Sequence, residues 1–105
     1  MSKIAGAGEA RLNWNLAMGY VIREIQGTPN PNAVKFLLNR EISSSTLSFL
    51  RPEEGVAHPL ASQLFSIKGV ISLLFLGDFV TVNKKPEIPW TAITGKVEEI
   101  LQKCD

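Results

Sequence analysis

Apolar and polar residues alternate in the first half of the chain with the period of two that is typical of β-strands. In the segment AVKFLLN, the apolar residues Val34, Phe36 and Leu38 fall on one side and Lys35 falls on the other. The segment TLSFL alternates in the same way, and the segment YVIREIQG is rich in β-branched residues and ends at Gly27. These patterns predict three strands in this half of the chain.

The second half contains a longer apolar run that is followed by a turn signal. The run VISLLFL is apolar at nearly every position, which is typical of a strand that is central in a sheet or covered on both faces. Gly77 and Asp78 separate this run from the alternating segment FVTVN. Because two residues with glycine first fit a tight hairpin turn, the sequence predicts a β-hairpin here.

Two segments have apolar residues at helical spacing. The first, HPLASQLFSIKG, has His58 at the expected N-cap and Pro59 in the first turn, and it ends at Gly69, which can adopt the left-handed cap. The second runs from Pro89 to the C-terminus and contains Gly95. Its apolar stripe is formed by Trp90, Ile93, Val97, Ile100, Leu101 and Cys104.

The order of the predicted elements, β-β-β-α-β-β-α, favours an α+β fold. Two helices on one face of a mostly antiparallel sheet of about five strands form the simplest two-layer arrangement. We expect residues 20–105 to form this domain. Residues 1–19 are expected to form an N-terminal extension of uncertain order, in which Leu12, Trp14 and Leu16 could form a short apolar patch.

Composition restricts the possible partners and compartments. The chain has 105 residues, of which 45% are hydrophobic and 20% charged, and its net charge is +1. These values argue against disorder, and the near-neutral charge argues against nucleic acid or an anionic membrane as a partner. No apolar run reaches the roughly 18 residues of a membrane span. The single cysteine suits a reducing compartment, so we expect a cytoplasmic monomer.

The reactive side chains offer little chemistry. Cys104 could supply a thiolate to a metal, but iron–sulfur sites need about four thiolates. We therefore favour the interpretation that Cys104 acts as a small apolar residue at the end of the helix stripe. His58 is the only histidine, and no motif places a nucleophile beside it, which favours a capping role over catalysis. The sequence therefore predicts no catalytic residue, no metal site and no enzyme.

The polar and basic residues around the strands have structural explanations. In the segment TPNPN, Pro29 and Pro31 fix their own φ and favour extended geometry in the residue before each. This predicts a rigid turn between two strands. The cations of the sheet, at Arg23, Lys35, Lys84 and Lys85, could form a basic patch on one face, although a solvated sheet face is the commoner explanation.

Three segments together resemble the N-terminal domain of Nfu-type iron–sulfur cluster scaffold proteins. They are TPNPNAVKF, then HPLASQLFSIKGVISLLFLGDFVTVNKK, and then the terminal helix that begins at Trp90. The resemblance extends from about Thr28 to Leu101 and implies an α+β fold with a link to cluster maturation. In this family a second domain with a Cys-x-x-Cys pair holds the cluster, usually between two subunits. The present sequence contains no such pair, so no cluster ligands carry over.

The resemblance implies an accessory role in iron–sulfur cluster assembly or delivery. The chain would contact a scaffold or client protein that carries the cluster, and it would bind no cofactor itself. Candidates for this contact are polar residues that match the family. Asn30, Asn32, Lys35 and Asp78 are expected at the surface, and Thr28 and Lys84 are further candidates. Two alternatives stay open, namely a dimer that carries a metal or cluster through Cys104, and a domain that binds a small anion at the TPNPN loop.

Overall fold

The computed structural model of the protein describes residues 19–103. These residues form five strands and two α-helices in the order predicted from the sequence. The strands are β1 (Ile22–Gly27), β2 (Ala33–Leu38), β3 (Ser43–Phe49), β4 (Val70–Gly77) and β5 (Phe79–Lys84). The helices are α1 (Pro59–Phe65) and α2 (Thr94–Lys103), with short 3₁₀ helices at Pro52–Gly55 and Trp90–Ala92.

The strands form one antiparallel sheet in the order β1-β2-β5-β4-β3. Strand β4 is internal, which agrees with its nearly continuous apolar sequence. It joins β5 through a tight hairpin in which Leu76 pairs with Phe79, and Gly77 has a φ of +58°. The predicted hairpin and the predicted α+β fold are therefore confirmed. Within residues 19–103 the edge strands are β1 and β3.

The hydrophobic core lies between one face of the sheet and the two helices. Phe36 and Phe75 from the central strands are fully buried there. Leu64 of α1 and Val97 and Leu101 of α2 belong to the same cluster, so both helices cover the same face. Burying a side chain of this size stabilises the fold by about 1.5–3 kcal/mol, so this shared core is the main source of stability.

The opposite face of the sheet, which we call the outer face, also carries large apolar residues. Leu37 pairs with Phe79 across the sheet, and Leu74 and Leu76 lie on the neighbouring strand. All four are half-buried. The Nζ atom of Lys35 lies 4.1 Å from the centroid of the Phe79 ring. Neither α1 nor α2 packs on this face, so these side chains and the lysine shield one another.

Helix α1 begins as the sequence predicts. His58 is the N-cap, and its Nδ1 accepts a hydrogen bond from the backbone N–H of Ala61 at 3.2 Å. The imidazole also makes edge-to-face contacts with Phe49 and Phe75, at centroid distances of 5.5 and 5.3 Å. The helix ends earlier than expected, at Phe65, and Gly69 supplies its positive φ in the turn that leads into β4.

The C-terminal segment differs from the single long helix that the sequence indicates. Trp90–Ala92 form a 3₁₀ turn, and the regular helix α2 begins only at Thr94. Val97 and Leu101 of the predicted stripe are fully buried, whereas Trp90 is only partly buried. Cys104 lies outside the described residues.

The start of the described chain is anchored against the end of α2. The N–H of Tyr20 donates to the carbonyl oxygen of Leu101 at 2.8 Å, and the tyrosine ring is buried. The Arg40 guanidinium lies 4.0 Å from that ring and donates from Nε to the carbonyl oxygen of Gly19 at 3.0 Å. The first 18 residues, most of the predicted extension, lie outside the described residues. No helix within residues 19–103 is long and apolar enough to cross a membrane.

Candidate interaction surface

The TPNPN turn between β1 and β2 is held by its own polar side chains. The Thr28 hydroxyl donates to the carbonyl oxygen of Ala33 at 2.9 Å and accepts the N–H of Asn30 at 3.1 Å. The Asn30 Oδ1 accepts the N–H of Asn32 at 2.9 Å. Because two prolines already restrict the backbone, these bonds leave the turn little conformational freedom.

A buried lysine connects this turn to the segment that follows β5. Lys84 is only 6% exposed, and its Nζ donates to Oδ1 of Asn32 at 3.1 Å. The same ammonium lies 3.3 Å from the carbonyl oxygen of Lys85 and 3.5 Å from that of Pro86. All three acceptors are neutral, and the ring of Trp90 lies 5.5 Å away. The three donors of this cation are thus directed at atoms of the protein itself.

A second side chain fastens the same two segments. The indole N–H of Trp90 donates to the carbonyl oxygen of Pro31 at 3.0 Å. Residues 28–32 and residues 85–90 therefore form one unit, which we call the two-loop surface. Its exposed residues are Pro29, Asn30, Pro31, Lys85, Pro86, Glu87 and Pro89.

The structure brings together some of the predicted contact residues and separates others. Thr28, Asn30, Asn32 and Lys84 meet at the two-loop surface. Lys35 lies on the outer face. Asp78 lies at the opposite end of the sheet, in the hairpin.

Two details of the sequence interpretation need correction. Asn32 is half-buried and Lys84 is buried, so neither is the exposed side chain that was expected. Asn30 is exposed, but its Oδ1 is used within the turn. The reason is that long-range pairing, which is invisible in the local sequence, places Asn32 beside the end of β5. A contact role for these residues stays a prediction.

The structure does not bring Lys35 and Lys84 of the hypothetical basic patch together. Side chains two residues apart on a strand lie on the same face, so Lys84 lies on the core side with the buried Val80 and Val82. Lys35 is adjacent in sequence to the buried Phe36 and therefore lies on the outer face. Arg23 is paired with Asp78, with Nη2 and Oδ2 3.3 Å apart. Lys35 and Lys84 therefore lie on different faces of the sheet, and the charge of Arg23 is paired.

An open groove between β1 and α2 was not predicted. It has a volume of about 450 Å³ and is lined by Ile22, Arg23, Glu24, Ile25, Thr94, Gly95 and Glu98. The sequence held one signal for it, since the alternation in β1 is imperfect and Ile25 lacks the regular apolar neighbours of a buried strand. Ile25 is 51% exposed.

The described residues hold no cluster suited to a metal. Among residues 19–103, no three side chains of histidine, cysteine, aspartate or glutamate lie close enough to share an ion. The His58 Nδ1 is used by the helix cap, as the sequence predicts. The thiol of Cys104 falls outside the described residues.

Comparison with known proteins identifies the family. Residues 22–104 match the sequence profile of the N-terminal domain of the scaffold proteins Nfu and NifU. The chain belongs to this family, which confirms the resemblance seen in the sequence.

The relatives that match this chain are longer proteins. The human mitochondrial NFU1 iron–sulfur cluster scaffold homolog is 40% identical over 76 residues, which are 70% of this chain and 30% of that protein. A NifU-like protein of Schizosaccharomyces pombe is 38% identical over 79 residues, 72% of this chain and 30% of that protein. The chain thus spans about 30% of the length of these relatives.

Solved structures have the same fold. A NifU-like protein of Saccharomyces cerevisiae superposes with a TM-score of 0.67 and 30% identity, over 79% of this chain and 77% of that one. The protein SAV1430 of Staphylococcus aureus superposes with a TM-score of 0.63 over 76% of this chain and 96% of that one. At 23% identity, the second likeness shows the fold alone.

Proposed function

We propose that the protein is a non-enzymatic accessory module in iron–sulfur cluster assembly or delivery. It contacts a scaffold or client protein, and the cluster resides on that partner. Membership of the Nfu family supports a role in cluster biogenesis. The names of the relatives, which describe scaffolds rather than enzymes, support the non-enzymatic part of the proposal.

The observation that carries the proposal is the rigid two-loop surface. It exposes Pro29, Asn30 and Pro31. The Trp90 indole N–H donates to the carbonyl oxygen of Pro31, and Lys84 donates to the side chain of the adjacent Asn32. Binding to a rigid surface costs little conformational entropy, which is the property expected of a recognition site. In this proposal Asn30 contacts the partner directly, and Thr28, Asn32 and Lys84 position it. Lys35 and Asp78 belong to separate surfaces, which a large partner could also reach.

The test is titration calorimetry with a cluster-loaded Nfu-type Cys-x-x-Cys domain as the partner. We expect Asn30→Ala to weaken binding by about fivefold or more, which is the usual effect of truncating a central contact. The matched control is Lys103→Ala, since this side chain is exposed at the end of α2, where its Nζ lies 3.2 Å from Glu99. Lack of binding by the wild-type chain, or equal affinities of the two variants, would refute the proposed surface.

The competing hypothesis of a cluster carried through Cys104 needs its own experiment. Anaerobic reconstitution with iron and sulfide is expected to leave the wild-type chain without a stoichiometric cluster, because one thiolate per chain is too few. Cys104→Ser is expected to give the same metal content. A chromophore that forms on the wild-type chain, with dimerisation, and disappears in Cys104→Ser would favour the carrier hypothesis instead.

A further inference from the structure

The groove between β1 and α2 has an apolar floor on the core side of the sheet. Ile22 pairs with Leu38 and Ile25 with Phe36, and both partners are fully buried, so the two isoleucines share the core face. They are three positions apart while their partners are two apart, because a β-bulge lies between Ile22 and Glu24. Ile25 is nevertheless 51% exposed, so α2 leaves this part of β1 open.

The opposite wall of the groove contains a glycine that the packing does not require. Gly95 lies in the first turn of α2, and a Cβ atom there would enter open space. Its φ is not positive, so the backbone conformation does not require glycine either. Glycine is the least favourable residue in a helix after proline. Its missing side chain leaves room in the groove for one that another molecule supplies.

Strand β1 is an edge of the sheet within residues 19–103. An edge strand carries a row of N–H and C=O groups without a neighbouring strand, and such a row can accept an extended peptide. Side chains of an added strand alternate between the two faces of the sheet, so every second one enters the groove side. The volume of the groove, about 450 Å³, is within the roughly 300–1,000 Å³ that is typical of binding sites.

The rim of the groove carries negative charge. Glu24 and Glu98 are exposed, and each accepts a hydrogen bond from a neutral amide, that of Gln26 at 3.2 Å and that of Gln102 at 3.5 Å. Arg23, the cation of the rim, is paired with a carboxylate of the β4–β5 hairpin instead. The rim therefore favours lysine or arginine in a bound segment.

We propose that the groove binds an extended segment of a partner protein, in which apolar residues alternate with polar ones and a lysine or arginine flanks the apolar run. The segment adds to β1 as a further strand, and one of its apolar side chains packs on Ile25 in the gap beside Gly95. Its cation meets Glu24 or Glu98 at the rim. This inference does not depend on the proposed function, because the two-loop surface is formed by other residues.

The direct test is NMR titration of the labelled full chain with a synthetic nine-residue peptide. In this probe, valine and leucine alternate with threonine, and each end carries a lysine. We expect shifts at Ile22, Ile25 and Gly95, none at Asn30 of the two-loop surface, and slower amide exchange in β1 because its edge becomes paired. Absence of shifts in the groove with about 1 mM probe, or shifts without slower exchange, would overturn the proposal.

A variant that fills the groove separates lost binding from a damaged fold. In Gly95→Leu the new side chain enters open space and favours the helix, so the urea midpoint should not fall. Probe binding should weaken by about tenfold or more, because the space for the inserted side chain is taken. Lys96→Leu is the matched control, since the adjacent Lys96 is exposed and does not line the groove. Equal affinities of the two variants would refute the proposal.

The charge of the rim has its own comparison. Glu98→Gln is expected to weaken binding of the lysine probe by about threefold, as is usual for one exposed ion pair. A second probe, with glutamine in place of both lysines, should bind the wild type and Glu98→Gln equally well. The same loss of affinity for both probes would contradict the cationic residue in the proposed segment.

Two other occupants are distinguished in the absence of probe. Shifts at Ile25 that depend on protein concentration would assign the groove to a second copy of this chain. Nuclear Overhauser contacts between Ile25 and residues 1–18 would assign it to the chain itself. Either result would overturn the proposal of a partner segment, and the affinity measured for the two-loop surface would be unaffected.

Discussion

Lys84 is a side chain whose burial differs from what its local sequence indicates. A lysine in the sequence context VTVNKK is usually a solvated residue, yet its ammonium is buried and directed at three neutral oxygens. Burial of a cation is costly unless its donors are satisfied, and here they are. The neighbouring Lys85 is exposed, so the two lysines form a natural pair for comparison.

We expect Lys84→Met to destabilise the protein by about 1–2 kcal/mol, because the buried acceptors of the two-loop surface lose their donor. Lys85→Met should change the free energy of unfolding by less than about 0.5 kcal/mol, as is usual for surface positions. Urea denaturation measures both values. Equal stability of the two variants would show that the buried ammonium adds no net stability.

His58 combines two interactions that substitutions can separate. Its Nδ1 caps α1, and its ring packs against Phe49 and Phe75. We expect His58→Asn to keep the cap and to lose about 1 kcal/mol of aromatic contact, and His58→Ala to lose about 2 kcal/mol because the cap is lost as well. The order of the two thermal midpoints checks this. If the asparagine variant is no more stable than the alanine variant, the cap contributes nothing.

At the scale of elements, the β4–β5 hairpin could be predicted from the sequence because its turn is determined by residues that are adjacent in the chain. Gly77 adopts a φ of +58°, and no atom would obstruct a side chain at this position, so only the backbone conformation requires glycine. We expect Gly77→Ala to cost about 1 kcal/mol, because an alanine in the left-handed region is strained. Gly27 at the end of β1 has equally open space without a positive φ, and Gly27→Ala should be neutral or slightly stabilising. Chemical denaturation of both variants tests the distinction, and equal costs would contradict it.

The ends of the helices were less predictable than the hairpin. Helical spacing correctly selected Val97 and Leu101 as core residues of α2, but it also placed Trp90 in the same helix. In the fold, Trp90 belongs to a 3₁₀ turn and donates to Pro31, a residue 59 positions away. A periodic pattern contains no information about such a partner. The indole N–H of a tryptophan on a core-facing stripe usually has a hydrogen-bond acceptor, and this was the available signal.

At the scale of the whole molecule, the sequence predicted the layers but not the assembly of the surface. The alternation in the strands and the spacing in the helices identify the apolar face of each element. Packing these apolar faces together gives the two-layer fold. The two-loop surface depends on β2 pairing with β5, which brings Asn32 beside Lys84. Local patterns do not report strand order, so Asn32 and Lys84 were expected at the surface.

The final prediction concerns whether this surface is part of the cooperative unit. The central strands and both helices share one core, and Lys84 links the two-loop surface to β5, so the described residues should unfold in a single step. In Trp14→Phe, only Trp90 reports by fluorescence, and its urea transition should coincide with that of the far-ultraviolet circular dichroism. Lys84→Met should separate the two curves, with Trp90 changing first, whereas Lys85→Met should not. If the Trp90 fluorescence of Trp14→Phe, without a change at Lys84, already changes at lower urea than the circular dichroism, the two-loop surface unfolds before the rest of the domain. The low entropic cost of binding proposed for a rigid surface would then not apply.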